Sequence, residues 1–179
     1  MRDLLTYQFN IIALYVIELN PSFDMASTDE LRAVMESTLT RFLENSTLAV
    51  KNKDTSLFSA LLSSDCLRYL KPTTFVKSYP FIKAVETNAE YEARMVPEIA
   101  AMEEAKVKII EIVIDPIKRH GSAHVEHWTK ITGREPIALE ICWYVDFTED
   151  GKKISRVVEF IDTAASSKII ESILKLAKK

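Results

Sequence analysis

The segment IALEICWYVDFTEDGKKISRVVEFID, residues 137–162, carries the strongest structural signal in the chain. Two runs rich in β-branched and aromatic residues, 137–148 and 152–162, flank the sequence EDG at 149–151. An Asp-Gly step between two such runs is typical of a hairpin turn. The segment therefore predicts two antiparallel strands joined by a tight turn.

Both predicted strands are apolar on both faces, yet they contain charged residues. These residues are Glu140, Asp146, Arg156, Glu159 and Asp162. A bare carboxylate buried in an apolar strand costs several kcal/mol or more, so it must be paired, hydrogen-bonded or directed into a cavity. Such a pattern is typical of a curved sheet that lines a pocket with a few polar groups.

The composition indicates a single domain and excludes several classes of function. A chain of 179 residues with 47% hydrophobic content is long enough for one domain with a good core. The net charge of -3 and the pI of about 5.7 argue against a nucleic-acid partner, which usually requires a basic surface. With only three glycines, the chain has no Gly-rich loop for the phosphates of a nucleotide cofactor.

The two cysteines, Cys66 and Cys142, lie in apolar sequence contexts. Two free thiols in a reducing compartment are therefore the preferred interpretation, and a disulfide is the alternative. We expect Cys66 to be a core residue rather than a nucleophile. The sequence also contains no Gly-x-Ser-x-Gly motif for a serine nucleophile.

We interpret residues 1–24 as an N-terminal extension and residues 25–179 as the domain. The extension is expected to be non-essential for folding of the domain. Residues 9–19 are strongly apolar, but they are too few to span a bilayer core of about 30 Å as a helix. No small-residue cleavage site follows them, which argues against a signal peptide. We therefore expect a cytoplasmic protein with no membrane span.

The first half of the domain is predicted to be helical. Ser27 and Glu30 have the spacing of a capping box, and apolar residues then recur at helical intervals, so a helix is expected over 27–49. A short helix capped by Asp54 or Thr55 is expected to continue through Leu62. The chain would leave this helix over 65–72, because Pro72 forbids its continuation. Residues 75–86 are expected to be irregular or briefly helical.

A third helix is predicted to begin at a second capping box, formed by Thr87 and Glu90. Its buried face would carry Tyr91, Met95, Ile99 and Met102. Pro97 should kink this helix or divide it in two.

The second half of the domain is predicted to be mainly strands. Residues 107–115 are rich in β-branched side chains and form a central strand, Asp115 and Pro116 turn the chain, and 119–131 form the next strand. A turn at 133–136 leads to the hairpin, and a closing amphipathic helix is expected over 166–176. Helices followed by antiparallel strands predict an α+β fold.

Over Met25 to Leu176, the sequence resembles the SnoaL-like group of the nuclear-transport-factor-2-like (NTF2-like) superfamily. The motifs that carry the resemblance are Ser64-Asp65-Cys66-x-Arg68, Thr87-Asn88-x-Glu90-Tyr91, Ile114-Asp115, and Asp146-Phe147-x-x-Asp150-Gly151 leading to Glu159-Phe160-x-Asp162. Within this group the chain is most similar to small fungal proteins of secondary-metabolite biosynthesis.

The resemblance implies a cone-shaped, curved antiparallel sheet closed by three N-terminal helices, with a C-terminal helix and a deep apolar pocket. Fungal members include isomerases and cyclases of terpenoid biosynthesis and a semipinacolase, which work without a cofactor. Family members commonly form homodimers through the outer face of the sheet. Other proteins with this fold include a dehydratase, polyketide cyclases and a dioxygenase subunit that is largely structural, so the fold alone does not establish catalysis.

Glu159 and Arg68 are the first candidates for catalysis. Glu159 lies in mid-strand and is either a structural partner of a neighbouring cation or a general acid or base whose pKa is raised by desolvation. Arg68 is placed at the end of the second predicted helix. It is either a surface charge at that helix end or a cation that binds a substrate oxygen where negative charge develops.

Tyr144 and one histidine complete the predicted catalytic set. Trp143 and Tyr144 are neighbours on a strand and must face opposite ways, and Tyr144 is the candidate hydroxyl donor. His124 is the candidate pocket histidine, with His127 as the alternative. A metal site is not expected, because His120 and His124 would be about 13 Å apart along a strand. Further substrate contacts are expected from Tyr69, Phe81, Tyr91, Met95, His127 and Trp143.

The sequence thus predicts an isomerase or cyclase that needs no cofactor and acts by general acid–base catalysis on a hydrophobic, polycyclic natural-product intermediate. A meroterpenoid, an alkaloid or a polyketide would fit such a pocket. The alternatives are a non-catalytic binding or structural protein with the same fold, and a dehydratase or hydrolase.

Overall fold

A layer of helices covers the concave face of a curved, six-stranded sheet in the computed structural model, which describes residues 21–176, with side chains from residue 27 onward. The elements in chain order are α1 (Pro21–Asn52), a 3-10 turn (Thr55–Phe58), β1 (Leu62–Lys71), α2 (Thr73–Ser78), β2 (Val85–Thr87), α3 (Asn88–Ala101), β3 (Met102–Asp115), β4 (His120–Ile131), β5 (Ile137–Phe147), β6 (Ile154–Ile161) and α4 (Thr163–Leu176). The predicted α+β class is confirmed.

The strands lie in the order β2-β1-β6-β5-β4-β3. Every neighbouring pair is antiparallel except β1 and β6, which run parallel. The sheet is therefore mixed, whereas the resemblance implied a wholly antiparallel one. A parallel pair requires a long crossover connection, and the chain between β1 and β6 supplies it with two helices and the other strands.

The predicted hairpin is confirmed as β5 and β6. The connecting loop is longer than the predicted tripeptide, because β6 begins only at Ile154. The Gly151 N–H donates to the Thr148 carbonyl at 2.9 Å, and Gly151 has a φ of +69°, which favours glycine.

Strand alternation separates the charged residues of the hairpin. Glu159 alone among them faces the concave side, whereas Glu140, Asp146 and Arg156 lie on the outer face. Asp162 has a different role, since its Oδ1 accepts from the N–H groups of Ala164 and Ala165 at the start of α4. Capping of this kind satisfies N–H groups that have no partner within the helix.

Helix α1 supplies much of the apolar core against the concave face. Met35, Leu39 and Leu43 are fully buried at helical intervals. The helix begins at Pro21, so Ser27 lies inside it and does not cap it as predicted. Proline is favoured in the first turn because its missing N–H needs no partner there. The predicted domain boundary at residue 25 therefore falls within α1, and residues 1–20 lie outside the described part of the chain.

The second predicted helix is wrong beyond Phe58. A 3-10 turn capped by the side chain of Asp54 ends there, and Leu62–Lys71 form β1. Cys66, Arg68 and Leu70 alternate into the interior along this strand. The sequence did not show this alternation clearly, because one of the inward-facing residues is an arginine. In the structure, β1 is stabilised by pairing with β6.

Helix α3 begins at the predicted capping box. The Glu90 N–H donates to Thr87 Oγ1 at 3.3 Å, and the Thr87 N–H donates to Glu90 Oε2 at 2.9 Å. Pro97 does not divide the helix, which continues to Ala101. Met102, predicted to lie on the helix, has extended backbone and begins β3.

Cys66 and Cys142 are both free, which confirms the preferred interpretation over a disulfide. Cys66 faces the core from β1, and burial raises the pKa of its thiol to about 11. An inert, protonated thiol agrees with the predicted core role. In the part of the chain that the structure describes, no helix is both long enough and apolar enough to cross a membrane.

Candidate active site

A cavity of about 180 Å³ lies between the concave face of the sheet and the helices α1, α3 and α4. Most of its wall is apolar. The apolar lining consists of Phe42, Leu43, Val50, Phe58, Leu70, Phe75, Ile82, Met95, Met102, Ala105, Leu139, Ile141, Trp143, Ile161, Ile169 and Ile170. Ligand pockets commonly combine such walls with a few placed polar groups.

Arg68 and Glu159 form a buried ion pair in the cavity wall. Arg68 Nη1 donates to Glu159 Oε1 at 3.1 Å, and the side chains are only 3% and 8% exposed. The two residues face the same way because β1 and β6 are adjacent and parallel, with Arg68 opposite Val157 and Leu70 opposite Glu159. The fold therefore brings together the two residues that were the first candidates from the sequence.

Aromatic and backbone contacts hold the Arg68 guanidinium in place. Its Cζ lies 3.8 Å from the ring centroid of Tyr91 and 5.4 Å from that of Phe42. Its Nη2 donates to the Phe58 carbonyl at 2.5 Å, and its Nε has no hydrogen-bond partner among the described residues. A guanidinium has five N–H donors, and these two bonds leave several for a substrate oxygen.

Burial raises the pKa of Glu159, while the cation of Arg68 acts in the opposite direction. The net effect makes the Glu159 carboxylate a stronger base than an exposed glutamate. Because the residue is part of the cavity wall, a bound molecule can reach the small exposed part of its side chain.

A second ionic cluster lies beside the first on α3 and β2. Arg94 Nε donates to Glu86 Oε1 at 2.8 Å and to Oε2 at 3.1 Å, and Nη2 donates to Oε2 at 2.9 Å. Arg94 Nη1 donates to Glu98 Oε1 at 3.0 Å. Arg94 and Glu98 both line the cavity. Burial raises the pKa of Glu98, against the effect of Arg94.

His127 and Trp143 add two nitrogen atoms to the sheet side of the site. Neither His127 Nε2 nor Trp143 Nε1 has a hydrogen-bond partner among the described residues. Burial lowers the pKa of His127 to about 4, so the imidazole is neutral at pH 7. The Trp143 ring packs edge-on against Phe42, with 5.3 Å between the ring centroids.

Six of the ten predicted site residues line this cavity. They are Arg68, Glu159, Tyr91, Met95, His127 and Trp143. Arg68 acts from a strand and not, as predicted, from the end of a helix. His127, the alternative histidine, takes the place that the sequence analysis gave to His124.

The other four predicted residues lie elsewhere, and their placement in the pocket was wrong. His124 and Tyr144 project from the outer face of the sheet, because each is one strand position away from a concave-facing residue. His124 Nε2 lies 2.8 Å from Glu140 Oε2 there. Tyr69 is also on the outer face, under the guanidinium of Arg156. Phe81 is largely exposed and packs against Tyr79.

Arg94 and Glu98 are cavity residues that were not predicted from the sequence. Both fall on the face of α3 that also carries Tyr91 and Met95, at the i, i+3, i+4 and i+7 positions. Two charged residues on the apolar face of an amphipathic helix were the available signal, since such residues must find partners or a cavity.

No group of three or more possible metal ligands occurs within residues 27–176. His120 and His124 are each paired with a carboxylate on the outer face, at 2.7 and 2.8 Å. The polar groups that line the cavity are carboxylates, guanidinium groups, an imidazole, a phenol, an indole N–H and the hydroxyls of Ser46, Thr129 and Ser166.

No protein-family model matches the sequence, and no curated protein matches it. Several solved structures are similar to the chain. The pinacolase BvnE from Penicillium brevicompactum is 16% identical with a TM-score of 0.69, over 82% of this chain and 99% of that one. PrhC from Penicillium brasilianum is also 16% identical, with a TM-score of 0.66. The match covers 82% of this chain and 92% of that one.

A third similar structure is an NTF2-like protein of unknown function from Burkholderia pseudomallei. It is 16% identical with a TM-score of 0.58, over 76% of this chain and 97% of that one. At these identities the likeness concerns the fold. The chain has the fold of the NTF2-like proteins, including fungal members, as the sequence resemblance predicted.

Proposed function

We propose that this protein is an isomerase or cyclase that needs no cofactor and acts on a hydrophobic, polycyclic natural-product intermediate. The observation that carries the proposal is the Arg68–Glu159 pair, which lies in the wall of an otherwise apolar cavity. A cavity of this kind binds a ligand through its apolar surface, and the few polar groups select the reaction.

The two residues have complementary roles in the proposed mechanism. Glu159 removes a proton from a carbon of the bound substrate, and the electron pair of that bond moves toward an oxygen of the substrate. Arg68 donates hydrogen bonds to this oxygen and stabilises its negative charge, which is worth most in a site that excludes water. Its contacts with Tyr91 and the Phe58 carbonyl hold the guanidinium in the required position.

The comparisons support the reaction class through the fungal pinacolase, whose fold this chain shares. The apolar lining supports a substrate of terpenoid, alkaloid or polyketide type, since such a molecule has a large hydrophobic surface and few oxygens. The competing interpretation is that Arg68 and Glu159 only neutralise each other and that the cavity binds a ligand without reaction.

Ring opening of 5-nitrobenzisoxazole separates these two interpretations without knowledge of the natural substrate. In this reaction a base removes the ring C–H proton, the N–O bond breaks, and a coloured nitrile-bearing phenolate forms. We expect the wild-type protein to accelerate the reaction and Glu159→Gln to lower the rate by about 10²-fold or more. Equal rates for the two proteins would contradict the proposal.

Two further variants control for loss of the fold. Glu140→Gln makes the same chemical change on the outer face and should leave the rate unchanged. Glu159→Asp keeps a charge for Arg68 but withdraws the carboxylate, so an intermediate rate is expected. Breaking a buried pair costs about 3–5 kcal/mol, so circular dichroism should confirm that each variant is folded at the assay temperature.

A further inference from the structure

The ion-pair cluster at the cavity contains three carboxylates and two cations. Arg68, Arg94, Glu98 and Glu159 line the cavity, and Glu86 is bonded to Arg94. Glu159 is bonded to Arg68, and Glu86 takes three hydrogen bonds from Arg94. Glu98 shares the same Arg94 through one bond only.

Glu98, which has only one bond to a shared cation, is therefore our candidate for a protonated carboxyl group. Burial raises its pKa, and the negative charges of Glu159 and Glu86 raise it further, against the effect of Arg94. Neighbouring negative charges favour the protonated form of a carboxyl group. The remaining titratable groups of the cavity, Tyr91 and His127, are uncharged at neutral pH.

Glu98 is also placed to meet a bound molecule. It lies on α3, which covers the cavity from the helix side, whereas Glu159 lies in the sheet. The side chain of Glu98 is 25% exposed, compared with 8% for that of Glu159. Two carboxylates of one cavity thus approach its contents from two different elements.

We propose that Glu98 is a second catalytic residue, the acid that delivers a proton to one position of the substrate while Glu159 removes a proton from another. Arg94, held by Glu86, is the positioning residue that orients the Glu98 carboxyl group. The inference rests on the proposed function, since it requires Glu159 to be the base. Together the two acids make the site suited to isomerisations that move a double bond.

The step balances without a cofactor. Glu159 takes a proton from one carbon, and the electrons of that bond form a new double bond as negative charge develops on the oxygen held by Arg68. The electron pair on that oxygen then re-forms its carbonyl, the new double bond shifts to the next pair of carbons, and the electrons of the old double bond form a bond between a more distant carbon and the proton of Glu98. Glu98 ends ionised and Glu159 protonated, and transfer of a proton between them through water after product release restores the starting state.

Two probe reactions test the role of Glu98. Opening of 5-nitrobenzisoxazole requires a base only, because its phenolate leaves without protonation. Conversion of cyclohex-3-enone to cyclohex-2-enone requires both removal of a proton and delivery of one to a different carbon. We expect Glu98→Gln to lower the enone rate by about 10²-fold and to lower the ratio of the enone rate to the ring-opening rate by about tenfold or more.

The outcomes separate this inference from the proposed function. Equal losses in both reactions for Glu98→Gln would overturn the inference, because they would indicate a structural role. A wild-type protein that opens the benzisoxazole but does not isomerise the enone would also overturn it. Full activity of Glu159→Gln in ring opening would instead overturn the proposed function itself.

A matched variant on the same helix serves as the control. Glu92 is on α3 but is not a cavity residue, so Glu92→Gln should leave both rates unchanged. The amide introduced by Glu98→Gln retains an oxygen that can accept from Arg94, so the Arg94 contact is kept. A fall in the rate ratio for Glu92→Gln as large as for Glu98→Gln would contradict the assignment.

Discussion

Glu159 and Arg68 illustrate how a charged side chain is held inside an apolar cavity. Removal of either charge from water costs several kcal/mol, and their mutual attraction offsets this only with good geometry and further contacts. The 3.1 Å bond, the Phe58 carbonyl and the ring of Tyr91 supply those contacts. The pair is thus positioned in advance for a reaction in which charge develops nearby.

Burial of His127 should make the stability of the fold depend on pH. Its pKa is about 4 in the folded protein and about 6.5 when unfolded. As the pH falls below 6.5 the unfolded state binds a proton first, so stability is lost between pH 6.5 and 4. From about pH 7.5 to about pH 4.5, the wild type should lose about 2–3 kcal/mol more than His127→Gln. Urea unfolding of both proteins at the two pH values measures this difference, and equal acid losses would contradict it.

The sequence identified the type of several site residues but not the face on which they lie. Trp143 and Tyr144 must point opposite ways, yet the register of β5 against β4 and β6 decides which one faces the cavity. In the same way, the sequence did not decide which of His124 and His127 faces the cavity, because a shift of one position exchanges the two faces of a strand. Arg94 was missed because its partner Glu86 is on a short strand that only the folded sheet defines.

The helices and strands with a strong local sequence signal were predicted best. The capping box of α3 and the β5–β6 hairpin depend on residues close in sequence. Strand β1 was not predicted, because it depends on parallel pairing with β6, far along the chain. Local signals cannot report a contact of that kind.

The β5–β6 loop packs closely against α1 at Gly151, which gives a prediction at the element scale. A Cβ added there would lie 2.8 Å from Met35 Cγ and 3.0 Å from Leu31 Cδ1, and the φ is +69°. Gly133 has a nearly identical φ of +67°, but no atom lies within 4 Å of an added Cβ. Both alanine variants should lose about 1–2 kcal/mol from backbone strain.

Only Gly151→Ala should lose a further 1–3 kcal/mol or so from overpacking against α1. The free energies of unfolding in urea give the difference between Gly151→Ala and Gly133→Ala. Equal losses for the two variants would show that α1 moves away without cost.

Within residues 21–176, no helix covers the outer face of the sheet. Apolar residues are exposed along it on five strands, and these are Leu67, Val85, Val113, Tyr144 and Phe160. A broad exposed apolar face is typical of an interaction surface. We therefore expect two copies of the chain to pair through this face, as the sequence resemblance implied.

A single charge at the centre of this face should prevent the pairing. Phe160 is 50% exposed on β6, and Phe160→Glu should convert a dimer into a monomer at micromolar concentration, measured by light scattering after size exclusion. Ile117 is more exposed, at 81%, but lies in the turn between β3 and β4. Ile117→Glu is the control and should remain a dimer. A monomeric wild-type protein would contradict the prediction.

The pH dependence of benzisoxazole opening tests most directly whether Glu159 is the base. The base must be ionised, and burial raises its pKa above 4.5. We therefore expect a turnover rate that rises with pH, has its midpoint above pH 4.5 and reaches a plateau, and we expect Glu159→Gln to lack this transition. A rate that rises in proportion to hydroxide in both proteins, with no plateau in the wild type, would show that Glu159 is not the base.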